Sequence, residues 1–223
     1  MAERRAHLGF TEDLGLVGWR RLEPVLLAAL ADESPLLLVG PHGTGKSLLV
    51  ERVAGALGLS FRHYNASLLN YDDLVGIPLP DEDGRTLRFV SSPGAIWGAG
   101  FVFLDELSRC RPELQNKLFP IVHERRVAGV DLPQLKHRWA AMNPPAPDDD
   151  TDAAEAAAAG SPVYLGAEPL DPALADRFPF VVRVPTWGEL SLPERRQLVA
   201  HELAGSPTPA HPGRAPHPGR STR

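Results

Sequence analysis

The residues Gly40-Pro41-His42-Gly43-Thr44-Gly45-Lys46-Ser47 fit the pattern G-x-x-x-x-G-K-[ST]. Each part of that pattern has a task in holding a polyphosphate. The glycines let the backbone wrap so that successive N–H groups point inward at phosphate oxygens. A helix opening near Lys46 adds the positive end of its dipole. Lys46 is expected to reach the β- and γ-phosphates, and the Ser47 hydroxyl to ligate Mg²⁺. The expected nucleotide contacts are Gly40, Pro41, His42, Gly43, Thr44, Gly45, Lys46, Ser47 and Leu48, with ATP as the ligand. His42 occupies a variable place in the pattern, and its side chain can point outward. Metal binding by His42 is not favoured.

A second set of reactive groups closes the run Phe101-Val102-Phe103-Leu104-Asp105-Glu106. A buried strand ending in Asp105 can place a carboxylate opposite Ser47, to hold Mg²⁺ or its water. Glu106 follows at once and can orient and polarise a water for in-line attack on the γ-phosphate. Such a run is a weak signal alone and a strong one downstream of a phosphate loop.

These groups need a scaffold, and the apolar pattern supplies one. Leu36-Leu37-Leu38-Val39 is a short apolar run ending in glycine, as a strand buried on both faces requires. Phe61–Tyr64, Phe101–Leu104, Trp139–Met142 and Phe180–Val184 read as four more strands. Between them lie helical patterns at Arg21–Ala31, Ser47–Leu57 and Pro112–Arg125, the last with Pro120 expected to kink or shorten it. The alternation predicts an α/β three-layer sandwich of the P-loop NTPase kind, around a mostly parallel five-stranded sheet. Asp83-Gly84 predicts a β-hairpin inserted over Ile77–Val90. Phe89 and Trp97 are expected to pack against the core. Residues 148–160, acidic and then alanine-rich, read as a surface loop. The last stretch repeats His-Pro-Gly-Arg and is expected to be disordered.

Composition narrows the classes. The chain has 223 residues, 43% hydrophobic and 23% charged, with a net charge of −5. That balance argues against a basic nucleic-acid binder or a polybasic membrane anchor. A single cysteine, Cys110, excludes an intrachain disulfide and reads as a bystander near a helix start. No run has the length of a spanning helix, and Met1–Phe10 lacks the apolar core of a secretory signal. A cytoplasmic protein is expected.

Taken together, Gly40–Ser47, the pair Asp105-Glu106, Asn143 after a strand and Asp176-Arg177-Phe178 resemble an AAA+ ATPase. The stretches Asp105–Arg109, Leu114–Arg126, Asn143-Pro144 and Leu170–Phe178 are similar to its MoxR and dynein-related branch. The resemblance spans roughly 14–185 and implies more than spacing does. Asn143 would be the sensor that positions the attacking water. Arg177 would be an arginine finger reaching the γ-phosphate of a neighbouring subunit, with Arg109, Arg125 and Arg126 as alternative interface arginines. The implied catalytic set is Lys46, Glu106, Asn143 and Arg177. The implied assembly is a homo-oligomeric ring, a hexamer in the family, acting as a remodelling motor or chaperone on a protein client. The hairpin would line the pore or meet the client, or simply be solvated. Val17-Gly18 resembles the segment that approaches adenine.

Two departures from the family stand out. Its helical lid is here reduced to one helix or so within Trp187–Leu203, and the loop 144–164 is long. The expected organisation is an ATPase core over 1–186, a lid remnant over 187–204 and a Pro/Gly/His/Arg tail over 205–223. A nucleotide-binding interaction module with little turnover, because the lid is truncated, is the alternative. A small-molecule kinase fits less well, since Glu106, Asn143 and Arg177 suit attack by water.

Overall fold

The computed structural model describes residues 9–82, 84, 87–90, 92–144 and 170–203. Five strands form the central sheet: β1 (Leu36–Val39), β2 (Phe61–Asn65), β5 (Phe101–Asp105), β8 (His137–Met142) and β9 (Phe180–Arg183). Their order is β2-β5-β8-β1-β9, and every pairing in this sheet is parallel. Parallel neighbours need crossovers, and helices supply them on both faces.

Alternation along the strands sorts the core. Leu36, Leu38, Phe101, Phe103, Trp139 and Ala141 face one side and pack with Leu49, Val50 and Val53 of α3 (Lys46–Ala56) and Leu26 and Ala29 of α2 (Glu23–Ala31). Leu37, Val102, Leu104, Ala140 and Met142 face the other side. There they meet Leu114, Leu118, Ile121 and Val122 of α5 (Pro112–Glu124) and Leu74 of α4 (Tyr71–Val75). Successive strand residues point to opposite faces, so a run apolar throughout is what two helical layers demand.

The five expected strands are all present, with ends moved by a residue or two. Pro120 does not shorten α5, which runs on to Glu124 and closes with the Arg125 amide on the Pro120 carbonyl. The hairpin forms from β3 (Ile77–Pro80) and β4 (Leu87–Val90), with Ile77 opposite Val90. Trp97 packs against the core and donates from Nε1 to the Val75 carbonyl at 2.8 Å. The Phe89 side chain, Asp83, the loop 148–160 and the tail 205–223 lie outside the described residues. A second, two-residue hairpin, β6 (Arg126–Val127) and β7 (Val130–Asp131), follows α5; short helices α1 (Phe10–Asp13) and α6 (Pro172–Ala175) complete the first compact unit, which ends at Leu190. Trp187–Glu189 is a 3-10 turn with Thr186 and Glu189 capping each other. Within the second unit, α7 (Leu192–Leu203) opens with Glu194 accepting from the backbone and hydroxyl of Ser191.

Candidate nucleotide site

Strand order builds the site. β8 lies between β1 and β5, so the segments leaving the carboxyl ends of all three converge at one edge of the sheet. Ligands of open α/β sheets bind at such an edge. The loop after β1 carries Gly40–Gly45, β5 ends in Asp105 and Glu106, and β8 is followed at once by Asn143. Around them lies a cavity of about 320 Å³, bordered by Gly43–Leu48, Asp105 and Glu106, with His42 at its rim.

The loop takes its shape from glycine. Gly43 and Gly45 have φ of +74° and +83°, where a Cβ is strained. Gly40 packs against β9's exit: a Cβ there would come within 2.9 Å of the Val184 Cβ. Thr44 Oγ1 donates to the Pro41 carbonyl at 2.8 Å and fastens the loop across its base. Lys46 opens α3 with 8% of its surface exposed. Its ammonium donates to the carbonyls of Gly40 and Pro41, both at 2.7 Å. Burial lowers the Lys46 pKa, and the nearby Asp105 and Glu106 charges partly restore it.

Opposite the loop, Ser47 Oγ donates to Asp105 Oδ2 at 2.8 Å. His63 on β2, in register two residues before the Asn65–Asp105 pair, brings Nε2 to 3.4 Å from the same oxygen. Burial works to raise the Asp105 pKa, but hydrogen bonds from His63, Ser47 and the Glu106 amide outweigh it, so the carboxyl sits below its ordinary value. Glu106 has φ +56° and ψ +38°, a left-handed conformation costing about 1–2 kcal/mol for a residue with a Cβ. That twist turns its carboxylate away from Asp105 towards the end of β8. Asn143 Nδ2 meets it at 3.3 Å. Arg109 Nε stands 3.6 Å from the same Oε2.

His42 does not point outward. Its ring turns inward, with Nδ1 at 3.3 Å from Glu106 Oε1 and Nε2 at 2.9 Å from Asn143 Nδ2, while half its surface stays exposed. Asn143 is 1% exposed, and its Oδ1 is buried with no partner among the described residues. Buried acceptors are rarely left unpaired, and this one sits beside the Glu106 carboxylate.

Lys46, Ser47, Asp105, Glu106 and Asn143 thus come together at one edge of the sheet. Arg177 does not join them. It lies exposed just past α6, and its guanidinium has no hydrogen-bond or ion-pair partner among the described residues. The alternative arginines are engaged within the chain: Arg109 with Glu106, Arg125 with Glu33 at 3.0 Å and Arg126 with Asp131 at 2.8 Å. The sequence reading missed His42, His63 and Arg109 as neighbours of the carboxylates. His63 carried a signal, since it lies two residues before a strand end beside the acidic strand. The inward turn of His42 carried none. At the opposite end of the segment before α2, Gly18 (φ +86°) packs against Leu190 beside buried Leu16 and Trp19.

A parallel sheet with a glycine-wrapped loop between β1 and α3, and an acidic pair on β5, defines a P-loop nucleotide-binding protein of the AAA+ class. The family model for the AAA domain of the dynein-related subfamily matches residues 35–178, and the chain belongs to that family. It is 31% identical over 191 residues to YeaC of Bacillus subtilis, covering 81% of this chain and 53% of YeaC. It is 32% identical over 108 residues to CbbQ of Hydrogenophilus thermoluteolus, covering 47% of this chain and 39% of CbbQ. The chain therefore spans about half the length of YeaC. A crystal structure of a proposed ATPase from Cytophaga hutchinsonii shares the fold, with a TM-score of 0.60 at 20% identity over 87% of this chain and 54% of that one. Among the described residues no helix is long and apolar enough to cross a membrane.

Proposed function

We propose that the chain hydrolyses ATP to ADP and phosphate as a subunit of a MoxR-like homo-oligomeric ring, and that the ring remodels a protein client. The observation that carries the reading is the meeting of Glu106 and Asn143, 3.3 Å apart, at the edge where the phosphate loop opens.

Each residue has a part to play. The loop amides of Gly43–Ser47 and the Lys46 ammonium hold the β- and γ-phosphates, with Lys46 leaving the Gly40 and Pro41 carbonyls to do so. Glu106 accepts a hydrogen bond from the attacking water and polarises it. Asn143 offers the unpaired Oδ1 as a second acceptor, which fixes the water without competing for its proton. Ser47 Oγ and Asp105 form a pair of hard oxygen donors, few in number, which fits a divalent cation that keeps most of its own water, as Mg²⁺ does. When bound there, Mg²⁺ neutralises charge on the phosphate oxygens. Arg177, without a side-chain partner among the described residues, is the finger supplied to the neighbouring subunit.

The same proposal includes a core over 1–186, a helical lid element over 187–204, and a cytoplasmic setting. The alternative is a module that binds ATP and turns over little. Steady-state hydrolysis with Mg²⁺ across a protein concentration series, run beside light scattering, separates the two. Turnover per subunit that rises as a ring-sized species appears is expected. A monomer that binds ATP and releases no phosphate would leave the module in its place.

A further inference from the structure

We propose that His42 is a positioning residue for hydrolysis, tying the water-orienting Glu106 and the sensor Asn143 to the phosphate loop. It rests on the hydrolysis reading above.

The hydrogen-bond inventory fixes the form of the imidazole. Asn143 Nδ2 carries two hydrogens. One is directed at Glu106 Oε2, 3.3 Å away. The other points at His42 Nε2, 2.9 Å away, which must then be the acceptor nitrogen. The proton of a neutral imidazole is left on Nδ1, facing Glu106 Oε1 at 3.3 Å. Both of these contacts suit one tautomer, the Nδ1–H form. The opposite tautomer sets N–H against N–H at Asn143 and a lone pair against the carboxylate at Glu106. A reversed amide at Asn143 would instead turn Oδ1 towards Glu106, acceptor against acceptor, so the amide is fixed too.

Three elements meet in this triangle: the loop after β1, the end of β5 and the end of β8. Glu106 Oε1 is held by His42, and Oε2 by Asn143 with Arg109 Nε at 3.6 Å. Without the imidazole, Oε1 loses its donor, and one N–H of a nearly fully buried amide loses its acceptor. The carboxylate is then free to turn about its side-chain bonds towards Arg109. Positioning of this kind acts on turnover, because a small misplacement of the group that aligns the water is costly in rate. Nucleotide affinity rests on the loop amides and Lys46, which His42 does not touch in the contacts described.

The test has a spectroscopic and a kinetic arm. Two-bond ¹H–¹⁵N spectra of the full chain report the imidazole tautomer directly. His42 is expected as the Nδ1–H form, and Asn143→Ala is expected to move it towards the Nε2–H form that free histidine prefers. In kinetics, His42→Ala is expected to lower kcat about tenfold while the dissociation constant of a fluorescent ADP analogue stays within about twofold. His42→Asn, which keeps a donor towards Glu106, is expected to restore part of kcat. A solvent-like tautomer mixture that ignores Asn143→Ala overturns the proposal. So does an unchanged kcat, or a loss of affinity equal to the loss of rate, which would make His42 a part of loop folding only. Wild-type protein that shows the Nδ1–H form and no turnover overturns the hydrolysis reading and reduces His42 to a structural tie; turnover with a solvent-like imidazole overturns the His42 proposal alone.

Discussion

Ser47 Oγ and Asp105 Oδ2 lie 2.8 Å apart, joined by a hydrogen bond that links the start of α3 to the end of β5. A hydroxyl and a carboxylate so placed can hold a hydrated divalent cation between them and the phosphates. Asp105→Ala should therefore lower nucleotide affinity in Mg²⁺ about 10- to 100-fold, the weight of a charge-assisted contact of about 1.5–3 kcal/mol. Affinity in EDTA should be the same for variant and wild type. Titration of a fluorescent nucleotide in both buffers decides it, and an equal loss in EDTA would make Asp105 a folding residue rather than a metal ligand.

Lys46 tests the loop itself. Its ammonium donates to two carbonyls of the loop, Gly40 and Pro41. Lys46→Ala should abolish measurable nucleotide binding, a loss of about 100-fold or more for the removal of a charged phosphate contact. Far-UV circular dichroism should stay native, because the sheet does not depend on the side chain. Tight ATP binding by a folded Lys46→Ala protein would refute the phosphate-loop assignment.

Among the described residues Arg177 has no side-chain partner, while Arg109, Arg125 and Arg126 each face a carboxylate of their own chain. The proposed role of Arg177 towards a neighbouring subunit can be tested by complementation. Glu106→Gln should bind ATP and stall, with kcat down about 100-fold. Arg177→Ala should bind equally and lose about 1,000-fold in turnover. Mixing the two inactive proteins should restore a fraction of the rate, since an interface then pairs an intact Glu106 with a neighbour's intact Arg177. Absence of recovery in mixed oligomers of confirmed size would place Arg177 outside the reaction.

Cys110 is buried beside the start of α5, and burial pushes its thiol up to about 11, against a smaller opposing pull from Arg111. At pH 8 such a thiol is thiolate about a hundredfold less often than a free cysteine near 8.5. Iodoacetamide should label the native protein at least about a hundredfold more slowly than the protein in urea. Equal rates would mean that the segment Leu107–Arg111 opens readily.

Much of this architecture was legible because apolar strands announce themselves. Leu36–Val39 and Phe101–Leu104 are buried on both faces, so they carry no polar alternation, and each ends in the residues that do chemistry. Asp105 was legible as the end of an apolar strand downstream of a phosphate loop, whereas Asn143 came from the family resemblance. Lateral relationships were not legible. Nothing in the order Gly-Pro-His-Gly tells that His42 turns inward, since that depends on β8 lying between β1 and β5 and offering Asn143 as a partner. The hairpin Arg126–Asp131 escaped because each strand has two residues, too few for a period, although Ala128-Gly129 between two valines marked the turn. Pro120 does not end α5 for a related reason: a helix with Leu114, Leu118, Ile121 and Val122 locked into the core tolerates one missing N–H.

Arg138 is the most demanding of the buried charges. It lies on the central strand β8, 4% exposed, and burial together with the nearby Arg125 depresses its pKa, with Glu33 opposing. Its guanidinium donates to three backbone carbonyls: Val122 at 3.1 Å, Glu33 at 2.8 Å and Lys136 at 2.6 Å. These come from α5, the turn before β1 and the approach to β8. A planar fork can serve three directions at once, which an ammonium on a flexible stem cannot. Arg138→Leu leaves those carbonyls without donors and should destabilise the fold by about 3–5 kcal/mol. Arg138→Lys should recover only part. Arg125→Ala, which removes an ion pair more than a third exposed, should cost about 1 kcal/mol or less. Urea unfolding at constant m-value ranks the three. If Arg138→Leu unfolds at the wild-type midpoint, the carbonyls are satisfied by water, and the guanidinium is no clamp between α5 and the sheet.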